Sequence, residues 1–258
     1  MRKIFKILLI IPVLYLIAVP FYLARSIGSK RCGSISIDIK DSADYHFVTR
    51  KQLRNLVYGN SRNVLGQRLK DIDAVAIENR LSTLRELKSV EVYKTVDGKL
   101  HVYVDQRNPL MRIMPDGGGD FFLDEDGILV RKRNMYNPRL HIVEGNITIT
   151  RAMLEGQSVL DTAMKNTILK DIYYLVDYIN NDKFWSAMID QVYVDNNNEI
   201  DLIPRIGNLV IHLGTADNFR DKLKNLGAFY DKVMPEVGWD KYSEINLAFK
   251  DQIVCKRR

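Results

Sequence analysis

Seventeen consecutive uncharged residues, Ile7 to Leu23, lie near the start of the chain with three basic residues on either side. At about 1.5 Å per residue the run reaches roughly 25 Å, near the lower limit for one helical crossing of a bilayer. Pro12 and Pro20 would break a helix in water but are tolerated in a membrane helix. The rival reading is a cleaved signal peptide, whose apolar stretch spans about 7–15 residues and ends in small residues. Neither Ala18-Val19-Pro20 nor Leu23-Ala24-Arg25 makes such a site. Cys32 follows Ser29-Lys30-Arg31, not the small residues a lipoprotein needs. The segment is therefore read as an uncleaved transmembrane helix over 7–27 behind a short tail, 1–6. Charge alone favours a cytoplasmic N-terminus only through the terminal amine, because the basic residues are balanced.

The same segment explains the net charge of +6. Arg2, Lys3, Lys6, Arg25, Lys30 and Arg31 carry the whole excess, and the rest of the chain holds 32 basic and 32 acidic side chains. A nucleic-acid binder needs its positive charge on the folded surface, so that class is set aside. Two cysteines exclude a disulfide-stapled scaffold and any multi-cysteine metal site. With 46% apolar and 27% charged residues, the chain beyond the anchor is globular.

Its first part reads as strand, two helices and a hairpin. Ile35, Ile37 and Ile39 alternate with polar residues, the period of a half-buried strand. Thr49 and Gln52 fit a capping box, opening a helix that ends at Gly59. Asp73 caps a second helix with Ile77, Leu81 and Leu84 on one face. Val90, Val92 and Val96 then meet Leu100, Val102 and Val104 across Asp97-Gly98, a hairpin signal. Arg107-Asn108-Pro109 breaks this unit. Beyond it, strands are expected at 109–114, 120–124, 127–132, 140–143, 186–194, 199–203 and 208–213. Two helices are expected, from Ser158 to about Asn180 and from Asp217 to Met234. A last strand runs from Ser243 to Val254, before the basic tail Lys256–Arg258.

No cluster of reactive side chains appears. His46, His101, His141 and His212 are scattered without partners at metal spacing. Asp124–Gly127 lacks the distal Glu of a calcium loop and reads as a hairpin turn. Gly117–Gly119 opens no helix, so it completes no phosphate site. Cys32 and Cys255 lie at opposite ends of the soluble part and read as unrelated. Asp41-Ser42-Ala43 and Asp161-Thr162-Ala163 resemble an O-glycosylation signal, though composition alone supplies about one such triplet per chain of this size. Asn146-Ile147-Thr148 is a sequon only in a eukaryotic setting.

The arrangement resembles the FtsQ/DivIB family of bacterial cell-division proteins. Val104-Asp105-Gln106-Arg107-Asn108-Pro109-Leu110 is close to the family's Val-x-Glu-Arg-x-Pro boundary, with Gln106 where an acid is customary. Phe121–Val130 resembles the start of the family's β domain. Gly207–Gly214, the subsequent Lys222-Leu223 and Ile245-Asn246-Leu247 resemble its end, with Asn246-Leu247-Ala248 where Asp-Leu-Arg is common. The resemblance implies an α+β fold: a transmembrane helix, a POTRA domain (β-α-α-β-β) over 33–107, and a mixed β domain with two helices over 108–255.

It also implies a non-enzymatic scaffold without cofactor, metal or small-molecule substrate. Such a scaffold binds FtsB/DivIC-like and FtsL-like single-pass coiled-coil proteins and helps control septal peptidoglycan synthesis. It places the chain in the bacterial inner (cytoplasmic) membrane, N-terminus in the cytoplasm and both domains periplasmic or extracytoplasmic. The family receives its partner beside the last strand, which singles out Ala248, Phe249, Lys250, Asp251 and Gln252 as an edge-strand binding site. Two alternatives are another POTRA-bearing envelope protein handling polypeptides in secretion or outer-membrane assembly, and a membrane-tethered cell-wall enzyme. The first usually has several POTRA units or a barrel, and the second needs a clustered nucleophile or acid/base pair.

Overall fold

The computed structural model describes residues 15–16, 18–20, 30–40, 46–59, 64–133, 137–164, 167–249 and 252–258. The expected tail at 1–6 lies outside them, as does most of the expected transmembrane helix at 7–27; residues 15–16 and 18–20 are helical. Among the described residues no helix is long and apolar enough to cross a membrane. The triplet Asp41-Ser42-Ala43 also falls outside. The chain divides into two compact units, Met1–Arg107 and Asn108–Arg258.

The first unit contains β1 (Ser34–Ile39), α1 (Arg50–Tyr58), α2 (Ala74–Leu81), β2 (Leu87–Lys94) and β3 (Lys99–Gln106). The sheet order is β1-β3-β2, with β1 parallel and β2 antiparallel to β3. Thr49 caps α1 by accepting from the Gln52 N–H, and Asp73 caps α2 by accepting from Ala76. Gly98, at φ +92°, supplies the left-handed residue of the β2–β3 turn. Leu53, Val57, Ile77 and Leu81 from the helices pack with Leu100, Val102 and Val104 of the sheet. A 3-10 turn at Leu69–Asp71 precedes α2.

Among its described residues the second unit has nine strands: β4 (Pro109–Pro115), β5 (Phe121–Asp124), β6 (Leu129–Arg131), β7 (His141–Gly145), β8 (Ile189–Val194), β9 (Ile200–Pro204), β10 (Val210–Gly214), β11 (Tyr242–Asn246) and β12 (Val254–Arg257). They form one mixed sheet in the order β12-β11-β10-β9-β8-β7-β4-β5-β6. Neighbours β4 and β7, β7 and β8, and β10 and β11 run parallel. Asp124 forms the expected turn, its Oδ1 accepting from the N–H groups of Asp126 and Ile128 at 3.0 and 2.7 Å.

Five α-helices accompany this sheet among the described residues, where two were expected: α3 (Arg151–Glu155), α4 (Ile168–Asn181), α5 (Lys183–Met188), α6 (Phe219–Lys232) and α7 (Met234–Val237). Local capping signals account for two of the three additional helices, α3 and α5. Thr150 caps α3 through the Met153 N–H. Asp182 ends α4 and caps α5, accepting from Phe184 and Trp185, so the first part of the expected strand at 186–194 is helical. The helix expected from Ser158 begins at Ile168, after a 3-10 turn at Thr162–Met164. Leu169, Ile172, Leu175, Val176 and Ile179 of α4, with Leu223, Leu226 and Tyr230 of α6, share one core with Ile113, Val143, Val192, Leu202, Ile211 and Ile245 of the sheet.

The single last strand expected over Ser243–Val254 is instead a hairpin of β11 and β12. Asn246 is the cause. Its Oδ1 accepts from the Ala248 N–H at 2.8 Å, an Asx turn that takes the backbone out of the ladder. Lys256 and Arg257, expected in a basic tail, belong to β12.

Candidate functional site

The terminal hairpin is held in place one strand at a time. β11 lies parallel to β10, with Ile211 opposite Ile245 and His212 opposite Asn246. Past the end of β11, the Leu247 N–H donates to the His212 carbonyl at 2.8 Å, and the Leu247 side chain is buried. β12 then returns antiparallel, pairing Asn246 with Val254, Ile245 with Cys255 and Glu244 with Lys256. Ser243 Oγ donates to the Lys256 carbonyl, and the Arg258 N–H donates to the Lys241 carbonyl. Backbone groups alternate in direction along a strand. Lys256 and Arg258 therefore turn theirs toward β11, and Cys255 and Arg257 turn theirs to the outer edge. Among the described residues that edge pairs with no further strand.

This placement corrects only the strand expected under residues 248–252. Ala248, Phe249 and Gln252 lie in the connection between β11 and β12, and Lys250 and Asp251 fall outside the described residues. Phe249 is 50% exposed. The strand at the edge is Val254–Arg257, four residues long, with Val254, Lys256 and Arg257 exposed. A short, basic strand is the usual protection for a sheet edge.

A groove of about 400 Å³ runs between the first turns of α6 and this connection, lined among others by Asn218, Lys222, Asn225, Leu247, Phe249 and Ile253. Lys222, in its lining, donates to the carbonyls of Leu213 and Thr215 at 2.9 and 2.8 Å. Burial pushes the Lys222 pKa down, against the opposing charges of Asp217 and Glu199.

On the sheet face turned away from the core, four adjacent strands carry a row of ionisable groups. Asp201 Oδ1 lies 2.7 Å from His212 Nδ1. His212 Nε2 lies 3.5 Å from Glu244 Oε2, and Glu244 Oε1 accepts from Lys256 Nζ at 2.6 Å. The hydrogen bond from Lys256, aided by the charges of Lys256 and His212, holds the Glu244 carboxyl below its ordinary range. By sequence alone His212 is a polar strand position. Its neighbours emerge only from the strand order.

Of the other reactive side chains, His101 and Cys32 belong to the first unit, His141 to β7 and Cys255 to β12 itself. His101 stacks on Tyr93 with ring centroids 5.2 Å apart, and His141 is buried in β7. Cys32 and Cys255 are free thiols, each with its pKa raised, chiefly by burial. Among the described residues no group of three or more His, Cys, Asp or Glu side chains is arranged to hold a metal.

A family model described as FtsQ/DivIB, C-terminal related, matches residues 108–256, and a model described as a POTRA-like domain matches residues 30–105. No curated protein matches the chain.

Proposed function

The chain belongs to the FtsQ/DivIB family, and from that premise we propose that it is a non-enzymatic scaffold of the bacterial division machinery. Residues 7–27 anchor it once in the inner membrane, the tail 1–6 is cytoplasmic, and both domains stand on the periplasmic or extracytoplasmic side. The boundaries of those domains are taken as 33–107 and 108–255. Its partners are FtsB/DivIC-like and FtsL-like single-pass proteins, through which it helps control septal peptidoglycan synthesis. Nucleic acid is not among them, given the equal numbers of basic and acidic side chains after Arg31.

The observation that carries this reading is the family match over 108–256, whose last residues form a sheet edge. A partner strand added beside β12 would hydrogen-bond to the outward backbone groups of Cys255 and Arg257, while flanking side chains supply selection. Ala248, Phe249 and Gln252 flank it, half-exposed Phe249 offers an aromatic contact, and Lys250 and Asp251 of the same segment are proposed as further partner contacts. The alternative POTRA-bearing proteins of secretion or barrel assembly draw no support from a second domain of this family.

Depletion of the protein tests the reading directly. Cells are expected to grow as filaments without septa, and the tagged chain is expected to co-purify with the FtsB/DivIC-like protein of the same cells. Normal septation on depletion would overturn the proposal.

A further inference from the structure

The row Asp201, His212, Glu244, Lys256 ends on the very strand proposed to receive a partner. We infer that His212 controls how tightly Glu244 holds Lys256, and thereby how available Lys256 is to a carboxylate on an incoming strand. The inference rests on the reading of β12 as the partner edge.

The geometry sets the direction of the effect. The 2.7 Å contact with Asp201 assigns the Nδ1 proton of His212 to that bond. In the neutral ring Nε2 then carries a lone pair facing the Glu244 carboxylate 3.5 Å away, so no bond forms. Glu244 is left to Lys256 alone, at 2.6 Å. When His212 takes a second proton, Nε2 donates to Glu244, whose two oxygens are then divided between two cations. Lys256 loses part of its partner and gains a positive neighbour, and both changes loosen it. Charged groups facing the ring come from β9 as Asp201 and from β11 as Glu244, and β12 adds Lys256. Asn246, opposite His212 in the register, is neutral.

An added strand with an acid beside Lys256 would extend the alternation of negative and positive side chains by one place. Opposite charges across neighbouring strands are the favourable arrangement. His212 is part-exposed, as is Glu244, so solvent keeps the coupling modest.

The coupling is tested on the full-length protein in detergent, without any partner. Lysines are acylated with a limiting N-hydroxysuccinimide ester at pH 8 and pH 6, and the Lys256 peptide is quantified by mass spectrometry. Dividing the wild-type value by that of His212→Gln removes the intrinsic pH dependence of amine acylation. The ratio is expected to rise about two- to fivefold at the lower pH, the range an exposed ion pair supports. Glu244→Gln, divided by His212→Gln in the same way, should exceed one at both pH values, with a thermal melt confirming that both variants are folded. A ratio that does not change overturns the inference.

In a second arm the FtsB/DivIC-like protein of the same bacterium is captured on the immobilised chain. Wild-type capture is expected to strengthen at pH 6 and His212→Gln capture to stay constant. Equal strengthening in both overturns the inference. A wild-type protein that captures nothing at either pH, while the labelling ratio still shifts, sinks the edge-strand reading instead.

Discussion

The side chain of Gln106 joins two segments of the first unit: its Oε1 accepts from the Val48 N–H at 3.2 Å, and its Nε2 donates to the Lys40 carbonyl at 3.4 Å. The residue is 2% exposed, so the site demands an acceptor and a donor in one group. An amide meets that demand and a carboxylate does not. Gln106→Glu, which restores the acid customary in the family, is expected to destabilise the protein by about 2 kcal/mol at pH 7, from a lost donor and a buried charge. Protonation would return an O–H donor, so the deficit against wild type should shrink toward pH 4. Urea unfolding at the two pH values measures both effects, and equal stability at pH 7 would contradict the account.

The features legible in the sequence are local ones. Thr49, Asp73 and Asp97-Gly98 act within a few residues of themselves, and they cap or turn where their chemistry requires. Two of the departures share a cause, because in each a single polar residue outweighs the hydrophobic period. Ile245, Leu247 and Phe249 alternate like a continuous strand, yet Asn246 diverts the chain after β11. The strand expected over 186–194 begins only at Ile189, because Asp182 a few residues earlier starts a helix that runs to Met188. The candidate site is hidden for a different reason. β9, β10, β11 and β12 become neighbours only through the strand order, and no local pattern encodes that His212 lies between Asp201 and Glu244.

His141 gives the second unit a dependence on pH. The residue is 4% exposed, and Nε2 has no hydrogen-bond partner among the described residues. Burial, the largest influence, pushes its pKa below the ordinary 6.5. The unfolded chain therefore binds the proton more readily than the folded one. The stabilisation is complete above pH 6.5 and is lost as pH falls through the lowered folded value. Thermal melts of the full-length protein should show this decline, and His141→Gln should flatten it between pH 7 and 5. An unchanged slope in the variant would remove His141 as the cause.

Gly145, at the end of β7, has φ +110°, and a Cβ placed there would run into the Val194 carbonyl of β8. The Asn146 N–H bonds to that same carbonyl, so neither strand can withdraw without breaking a contact. Gly145→Ala is expected to lower stability by about 2 kcal/mol or more, combining left-handed strain with the clash. A loss below about 0.5 kcal/mol by urea unfolding, the range of ordinary surface substitutions, would show that the strands separate easily.

The alternation of backbone groups along β12 provides a sharp test of the partner edge. Arg257 turns its N–H outward, whereas the Lys256 backbone faces β11, where its carbonyl accepts from Ser243 Oγ. Proline removes a backbone donor and is accepted at a sheet edge when that donor faces away from the sheet. Arg257→Pro should therefore spare the β11–β12 ladder while denying an incoming strand one hydrogen bond and setting a ring in its path. Lys256→Pro removes a donor directed at β11 and should loosen the hairpin itself. Capture of the FtsB/DivIC-like protein is expected to weaken about tenfold in Arg257→Pro, roughly one hydrogen bond with its desolvation, with an unchanged melting temperature. Lys256→Pro should lose both capture and some thermal stability. Full-strength capture by Arg257→Pro would show that the partner approaches elsewhere, and the connection at 248–252 or the groove beside α6 would then be the surface to examine.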